Sequence, residues 1–555
     1  MAEATRNELN VRWSALKNER SSWIPHWEDI SRFLLPRHGR FFLNQANRGE
    51  KKHNNIIDST GTRSLSILAA GMQSNMTSPA RPWFRLSTSD PKLDESYAVK
   101  VWLSETTRLM QMVFARSNTY RSLHMMYEEL GAFGTAASIV LPDFDTIICQ
   151  HPLTIGEYAI ATNFKGQTDT LYREFELKVA QIVKEFGIEN VSDGTRAAYN
   201  RGNLDQWRPV MHVIEPRADR DPRKRNSKNM PWKSCYFEMD ARTGQFLRES
   251  GFREFSALCP RWKVRSGDEY GSSPGMDALG DVKQLQQQHL RKGQGIDYMT
   301  RPPLQLPSSM QGKPNNFLPG GHSYYDGVAT PQGAVRAAFE VNLNLQHLRE
   351  DIVDVRERVR QCFFADLFLM LANDTRSGTT AYEIAQRQEE KMLMLGPVVE
   401  RLHSEILEPL IEMTFSRMVE ANIVPPAPPE MQGMELNVEF VSVLAQAQRA
   451  VATGSVDRYV ANLGNIAQFK PEVMDKFDAD HWADAYADML GVDPELIVPS
   501  EQVAFVRKSR AEAAAQQMQT QQMVDKSTVA RNMAQAKTGE QNMLTDVMEG
   551  TTGYT

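Results

Sequence analysis

Cysteine is scarce in this chain, and the few cysteines show no functional spacing. Cys149, Cys235, Cys259 and Cys362 are far apart and include no CxxC pair. This arrangement argues against a zinc site or a disulfide framework and fits a reducing cytoplasm. No run of about 18 apolar residues is present, and the polar N-terminal segment lacks the apolar core of a signal peptide, so no membrane span is expected.

An excess of positive charge is also lacking. The chain carries 63 basic and 69 acidic residues, for a formal net charge of -6. A protein that coats DNA is expected to be basic, because neutralisation of phosphates drives that binding. Any contact with DNA should therefore be loose or confined to local patches. The length of 555 residues is too great for one ordinary core, so several packed modules are expected.

The common nucleotide and metal motifs are absent as well. Gly312 and Lys313 are followed by Pro314 rather than by Ser or Thr and a helix, which argues against an ATPase with a phosphate-binding loop. The 11 histidines form no HxxxH pair on a predicted helix. We therefore expect neither a metal nor a cofactor.

One segment fits a catalytic motif literally. Residues 271–275, GSSPG, match the G-x-S-x-G pattern of a serine nucleophile, with Ser273 as the candidate. Such a site needs the backbone N–H of the next residue as an oxyanion donor, and here that residue is Pro274, which has none. The favoured interpretation is a turn with a helix N-cap, and a serine hydrolase using Ser273 is kept only as an alternative to a protein that is not an enzyme.

Long amphipathic helices dominate the predicted structure. Apolar residues recur at helical spacing in a stretch after Ser59 and in 5–34, 97–116, 119–133, 272–300, 334–364, 381–421 and 501–536. Pro25 is a candidate kink in the helix predicted over 5–34. Segments 136–142, 146–150, 157–162 and 167–172 are short and rich in β-formers, and they predict a small antiparallel sheet. A further helix is predicted from about residue 173, and a second β-rich region over 210–265. The expected fold class is α+β, mainly helical.

Two polar segments stand out between these elements. The basic segment, residues 216–233, carries seven basic and two acidic residues, and its cations include Arg217, Arg220, Arg223, Lys224, Arg225 and Lys228. A solvated loop and a contact with DNA phosphates or an acidic partner are equally compatible with it. Residues 371–378, LANDTRSG, predict a short polar loop between two long helices.

Several segments together resemble the portal, or head-to-tail connector, family of short-tailed, podovirus-type bacteriophages. They occur in family order and span most of the chain: WIPHWEDISRFLLPRHGRF (23–41), LAAGMQSNMTSPARPWFRL (68–86), YREFELKVAQIVKEFG (172–187), RWKVRSGDEYGSSPGMDALGDVKQLQ (261–286), TAYEIAQRQEEKMLMLGPVVERLHSEILEPLI (380–411) and FVSVLAQAQRA (440–450). No single motif is decisive, but the ordered set is specific.

The resemblance implies a dodecameric ring at one capsid vertex, built from wing, stem, clip and crown or barrel regions. The expected allotment is wing (1–172), stem helix (173–203), clip (204–271), stem helix (272–300), wing strands and helix (301–364), tunnel loop (365–380), spine helix (381–424), crown (425–500), C-terminal barrel helix (501–536) and disordered tail (537–555).

The resemblance also implies the function and the partners. The ring would form the channel for genome packaging, DNA retention and ejection, in a virion assembled in the bacterial cytoplasm. The expected partners are other copies of the chain, double-stranded DNA, terminase, tail or adaptor proteins, and capsid and scaffolding proteins. The tunnel loop would place Leu371, Ala372, Asn373, Asp374, Thr375 and Arg376 at the channel. A scaffold or internal core protein without a channel is the second alternative.

Overall fold

The computed structural model describes residues 2–41, 55–94, 96–221, 223–224, 226–241, 245–307, 318–325, 336–337, 345–373, 395–431, 436–441, 459–467, 469–470, 472, 477–490, 496–498 and 500–535. Two compact units are present. The first comprises Met1–Asp94 and Trp102–Val451, and the second comprises Glu95–Val101 and Ala452–Thr555.

In the described part of the first unit, more residues lie in helices than in strands. They are α1 (Ala2–Arg20), α2 (Ile24–Phe33), α3 (Thr60–Met76), α4 (Pro91–Asp94), α5 (Tyr97–Arg116, which begins in the second unit), α6 (Thr119–Phe133), α7 (Val179–Phe186), α8 (Asp193–Asn200), α9 (Pro274–Thr300), α10 (Leu345–Cys362), α11 (Ala365–Asn373), α12 (Gly396–Leu402), a π-helix (His403–Leu407) and α13 (Glu408–Glu420).

The described strands form four sheets. They are β1 (Phe84–Thr88), β2 (Ala137–Asp143), β3 (Ile147–Leu153), β4 (Tyr158–Thr162), β5 (Thr168–Lys178), β6 (Trp207–Pro216), β7 (Trp232–Glu238), β8 (Arg248–Phe252), β9 (Ala257–Leu258), β10 (Leu304–Pro307), β11 (His322–Tyr325), β12 (Arg336–Ala337) and β13 (Leu436–Phe440). The sheet orders are β4-β5-β6-β7-β8, β3-β2-β9, β11-β10-β12 and β1-β13.

The five-stranded sheet is covered on both faces. On one face, Leu9, Trp13 and Leu16 of α1 pack with a buried row of strand residues, among them Tyr172, Met211, Val213, Cys235 and Phe237. On the other face, Phe175 and Val210 pack with Ile182 and Phe186 of α7. Neighbouring residues of one strand, such as Val210 and Met211, face opposite sides because the side chains of a strand alternate. The sheet therefore lies between two hydrophobic clusters, one on each face.

The predicted small sheet is wrong in its grouping. The four segments do form strands, but β2 and β3 pair with β9, whereas β4 and β5 join β6, β7 and β8. The predicted helix from residue 173 is also wrong, because β5 continues to Lys178 in register with β6 and only Val179–Phe186 is helical. The apolar residues at 175, 179 and 182 have helical spacing. Phe175 is nevertheless in a strand, because it pairs with Val210 of β6.

Proline explains two departures from continuous helices. The predicted 5–34 helix is two helices, because the chain turns at 21–23 and Pro25 lies in the first turn of α2, where its missing N–H costs nothing. Pro409 removes a donor inside the later helix, and the preceding residues form a π-helix with the N–H of Glu408 bonded to the carbonyl of His403. The predicted helix over 334–364 begins only at Leu345 among the described residues.

Most described residues of the second unit lie in helices. Residues 459–467, Ala479–Leu490 and Ser500–Gln535 form helices, and the last of them confirms the predicted helix over 501–536. In the helix Ala479–Leu490, Trp482 stacks on Tyr486, and Asp480 forms an ion pair with Arg507 of the helix Ser500–Gln535. No helix in the described ranges is both long and apolar enough to cross a membrane.

Candidate functional site

The basic segment forms the connection between β6 and β7. Its ends are held together by the N–H of Arg217, which donates to the carbonyl of Pro231. Arg217 and Lys228 lie 3.5 and 3.3 Å from the two carboxylate oxygens of Glu249 in β8. Part of the positive charge seen in the sequence is therefore neutralised within the chain.

The outer part of the basic segment remains solvated. Arg220, Arg223, Lys224 and Lys228 are exposed. Lys224 pairs with Asp221 at 3.3 Å, and Nε of Arg220 donates to the carbonyl of Asn229. Arg225 lies outside the described residues. Such exposed pairs contribute little to stability, so these cations stay available to a partner.

The predicted polar loop is described only at its start. Leu371, Ala372 and Asn373 are the last residues of α11 rather than loop, while Asp374, Thr375 and Arg376 lie outside the described residues. Helix α11 packs against α3, where the ring of Phe368 leaves no room for a side chain at Gly71. The tunnel-loop assignment stays a prediction.

Helices α9 and α10 form an antiparallel pair. Asp281 contacts Arg358 at 3.2 Å, and further along α9 Leu285 packs with Ile352 and Val355. As the residue numbers rise along α9, the numbers of the α10 residues that they contact fall, so the two helices run antiparallel. The buried stripe on α10 follows the apolar spacing of the sequence. Residues 301–344 connect the two helices and include the three strands β10, β11 and β12.

A buried polar cluster joins this helix pair to the start of α3. We call it the Asp58 cluster, and it consists of Asp58, Gln286, His289 and Arg356. The Gln286 side-chain oxygen accepts from the backbone N–H groups of Ile57 and Asp58, at 2.7 and 2.8 Å, and its amide donates to the carbonyl of Asp58 at 2.9 Å. Oδ2 of Asp58 lies 2.6 Å from Arg356 and 3.0 Å from Nε2 of His289.

Electrostatics in the Asp58 cluster favour an ionised carboxylate. Burial alone would raise the pKa of Asp58, but hydrogen bonds from Thr60 and Arg356 outweigh it and lower the pKa below its ordinary value. Burial lowers the pKa of His289, with Arg356 adding to this effect and Asp58 opposing it. This cluster could not be predicted from the sequence. Its only sequence signal is the spacing of Gln286 and His289, which puts both on one face of α9.

Ser273 has a structural role. Its hydroxyl accepts from the N–H of Met276 at 3.0 Å and donates to the carbonyl of Ala132 at 2.7 Å, with the residue 1% exposed. This confirms the predicted N-cap of α9. The start of α9 lies close to the backbone at the end of α6. This is why residue 275 is glycine, because a side chain there would collide with the carbonyl oxygen of Ala132.

A second buried ion pair lies beside the π-helix. The guanidinium of Arg261 lies 2.7 Å from the carboxylate of Glu405, which also accepts from the Arg261 N–H at 2.8 Å. The Arg261 side chain is 2% exposed. The pair fixes the π-helix against the segment that follows β9. No pattern in the sequence indicates it.

The cysteines show no sign of reactivity. Burial raises the pKa of Cys235 to about 12 and also raises that of Cys259, so both thiols stay protonated at neutral pH. Within the described part of the chain, no group of three His, Cys, Asp or Glu side chains is placed to hold a metal ion.

Comparison with known proteins decides the family. Residues 6–498 match the model of the bacteriophage head to tail connecting protein. The chain belongs to this family. It is 61% identical over 556 residues to the probable portal protein of Bordetella phage BPP-1, with 100% of each chain covered. It is 42% identical over 550 residues to the portal protein of Salmonella phage epsilon15, covering 99% of this chain and 98% of the relative.

These relatives give the chain the function of a phage portal protein, and the family is structural rather than enzymatic. Solved structures with some likeness include the virion of a native gene transfer agent particle, with a TM-score of 0.35, 11% identity, and 84% of this chain and 98% of that chain covered. Another is the neck of the native particle, with a TM-score of 0.33, 12% identity, and 73% and 86% covered. Likeness at this level carries no argument about the fold or the function.

Proposed function

We propose that twelve copies of the chain form a ring at one capsid vertex, and that the ring is the channel for genome packaging, DNA retention and ejection. The observation that carries this proposal is the similarity to two phage portal proteins over essentially the whole length of the chain. The ring would meet capsid and scaffolding proteins during assembly in the host cytoplasm, terminase during packaging, and tail or adaptor proteins afterwards.

The charge of the chain suits passage of DNA without tight binding. Each phosphate that a protein neutralises adds affinity, so a strongly basic channel would hold the genome in place. A formal net charge of -6 avoids this. The segment 371–376, with one acidic and one basic residue, remains our proposed tunnel loop, and the helix Ser500–Gln535 the proposed barrel element.

The described helices favour a different allotment of stem and clip from the one expected. Residues 173–200 contain the end of β5 and two eight-residue helices, which are too short for a stem. The antiparallel pair α9 and α10 supplies two long neighbouring helices, with 301–344 as the segment at their common end. We assign the stem to this pair, the clip to 301–344, and the five-stranded sheet to the wing.

The basic segment then changes its place in the proposed ring. It extends from the five-stranded sheet rather than from the end of the helix pair. A place in the clip would imply docking of terminase or tail proteins to this segment, which stays a prediction. A position on the wing favours another copy of the chain as the partner.

Electron microscopy of the purified protein tests the proposal. Two-dimensional class averages should show closed rings with a central hole, and their symmetry gives the number of copies. Filaments, shells or open aggregates would favour a scaffold or core protein without a channel. Monomers or small dimers at high concentration would contradict the ring.

A further inference from the structure

The hairpin turn between β2 and β3 presents a fully exposed aromatic side chain. We call residues 143–147 the β2–β3 tip. Phe144 at this tip is 102% exposed and stands between two carboxylates, Asp143 and Asp145. A large apolar side chain in water forgoes the gain from burial, so its placement at a turn is unfavourable for the isolated chain. Burial against a partner would remove this cost.

The β2–β3 tip is held in one conformation. Strand pairing continues to Asp143 and Ile147, so only three residues form the loop. The Asp143 carboxylate accepts hydrogen bonds from the N–H and the hydroxyl of Thr146, at 2.9 and 2.7 Å. These bonds also lower the pKa of Asp143. A turn ordered in advance loses little entropy when it binds.

The backbone of the tip is strained as well. Ile147 has a φ of +70°, in the left-handed region that β-branched residues avoid. Strain of this kind persists where the surrounding structure enforces it, and it is found at binding and switch sites.

The β4–β5 turn offers a contrast. It also carries an exposed phenylalanine, Phe164, which is 95% exposed. Here Gly166 supplies the positive φ of +75° without strain, and the ammonium of Lys165 lies 5.8 Å from the Phe164 ring. Phe164 is thus a matched control, because it is equally accessible but sits on an unstrained turn with a cation beside it.

The basic segment is a complementary surface on the same chain. Its exposed cations Arg220, Arg223 and Lys224 would face the carboxylates of the tip. At its base, Trp232 pairs with Pro216 across β6 and β7, and the Trp232 ring lies 5.1 Å from that of Phe255. Both rings are half-buried. Aromatic neighbours and cations together suit an acidic tip with a phenyl group at its apex.

We propose that the β2–β3 tip of one copy docks on the basic segment of a neighbouring copy, with Phe144 against Trp232 and Phe255, and Asp145 facing Arg223 and Lys224. Two different surfaces of one chain that bind each other across copies form a head-to-tail contact. Such a contact generates a ring when the rotation from one copy to the next closes, as the proposed ring requires. The inference rests on the proposed ring and names one contact within it.

Substitution of the two phenylalanines tests the contact. Ring formation is followed by sedimentation velocity over a concentration series of the full-length chain. Phe144→Ala should raise the concentration at half-assembly roughly ten- to a hundredfold, because one buried phenyl is lost. Phe164→Ala should assemble like the wild type. Thermal melting of dilute protein should be unchanged for both, since neither ring is buried within the chain.

Charge exchange tests the identity of the partner. Asp145→Lys should weaken assembly, and so should Arg223→Glu combined with Lys224→Glu. The triple variant should recover most of the loss. The inference is overturned if the triple variant does not recover assembly, or if Phe144→Ala forms rings at the same concentration as the wild type. Either result leaves the proposed function intact. If variants of the tip form normal rings that fail to join capsid or tail proteins, the tip binds one of those proteins instead, and the inference is again overturned. A wild type without rings would overturn both proposals.

Discussion

Asp58 and Arg356 are 298 residues apart in the chain, yet Nη2 and Nε of Arg356 donate to one carboxylate oxygen of Asp58 at 2.6 and 3.1 Å. The bond joins the segment just before α3 to the middle of α10. Since Gln286 and His289 of α9 contact the same aspartate, three helices meet at one carboxylate. The antiparallel pair is thereby attached to the rest of its unit at a defined point.

Loss of the Asp58 charge should loosen this attachment. Asp58→Asn should lower the free energy of unfolding by about 2 kcal/mol or more, because Arg356 loses its buried partner. Urea denaturation measures the change. Asp354→Asn removes an exposed partner of Arg358 on the same helix and should change the free energy by less than about 0.5 kcal/mol.

The effect of Asp58→Asn should also depend on pH. The pKa of Asp58 is lowered in the folded state, so its contribution is fully present above the ordinary pKa of an aspartate. It is lost as the pH falls through the lowered value. A difference between wild type and variant that grows on acidification would contradict this assignment.

His38 should give the opposite dependence. Its Nδ1 lies 2.7 Å from the buried carboxylate of Glu129. Burial lowers the pKa of His38, but the hydrogen bond and charge of Glu129 outweigh it and raise the pKa overall. The pair therefore stabilises the fold fully below the ordinary histidine pKa of about 6.5, and the contribution is lost as the pH rises through the raised value.

Thermal unfolding of His38→Gln across this pH range checks the prediction. The variant should be less stable than the wild type at pH 5.5 and approach it at high pH. His26→Gln, an exposed histidine in α2, serves as the control and should follow the wild type. Equal destabilisation by His38→Gln at every pH would show that the ionised imidazole contributes nothing.

Two glycines of α9 should respond in opposite ways to alanine. A Cβ at Gly275 would collide with the backbone of Ala132, so Gly275→Ala should destabilise the fold by about 1–3 kcal/mol. At Gly280 no atom of the described part of the chain lies within 4 Å of an added Cβ. Gly280→Ala should therefore stabilise the helix, by up to about 1 kcal/mol. Calorimetry of both variants makes the comparison, and similar effects would contradict the packing of α9 on α6.

Deletion of residues 373–377 tests the proposed tunnel loop. Assembly of rings should be unchanged, whereas packaging or retention of DNA should be impaired. Phage yield and DNA content per particle are the measurements. A normal yield of filled particles would overturn the assignment of 371–376 to the channel.

Much of the secondary structure could be predicted because it depends on local pattern. The apolar stripes of α3, α6 and α9 reappear as buried residues, and the N-cap at Ser273 follows from serine chemistry and the proline beside it. The boundary between β5 and α7 could not be predicted. Phe175, Val179 and Ile182 fit a helical stripe, and only pairing with β6 extends the strand to Lys178.

The candidate functional site could also be predicted only in part. The sequence located the basic segment by composition, but only the structure showed that Glu249 of β8 neutralises Arg217 and Lys228. The Asp58 cluster and the pair of Arg261 with Glu405 had no usable signal, because their members are brought together from distant parts of the chain.

By itself, the sequence determined the class of the fold, the positions of most helices and strands, the absence of a phosphate-binding loop, and the likeness to portal proteins. These depend on residue type and on spacing along the chain. Tertiary structure alone decided how the strands are grouped, which helix pairs with α9, and which charges are neutralised. Packing determines these features, since the free energy of burial depends on which surfaces meet in space rather than on their order in the chain.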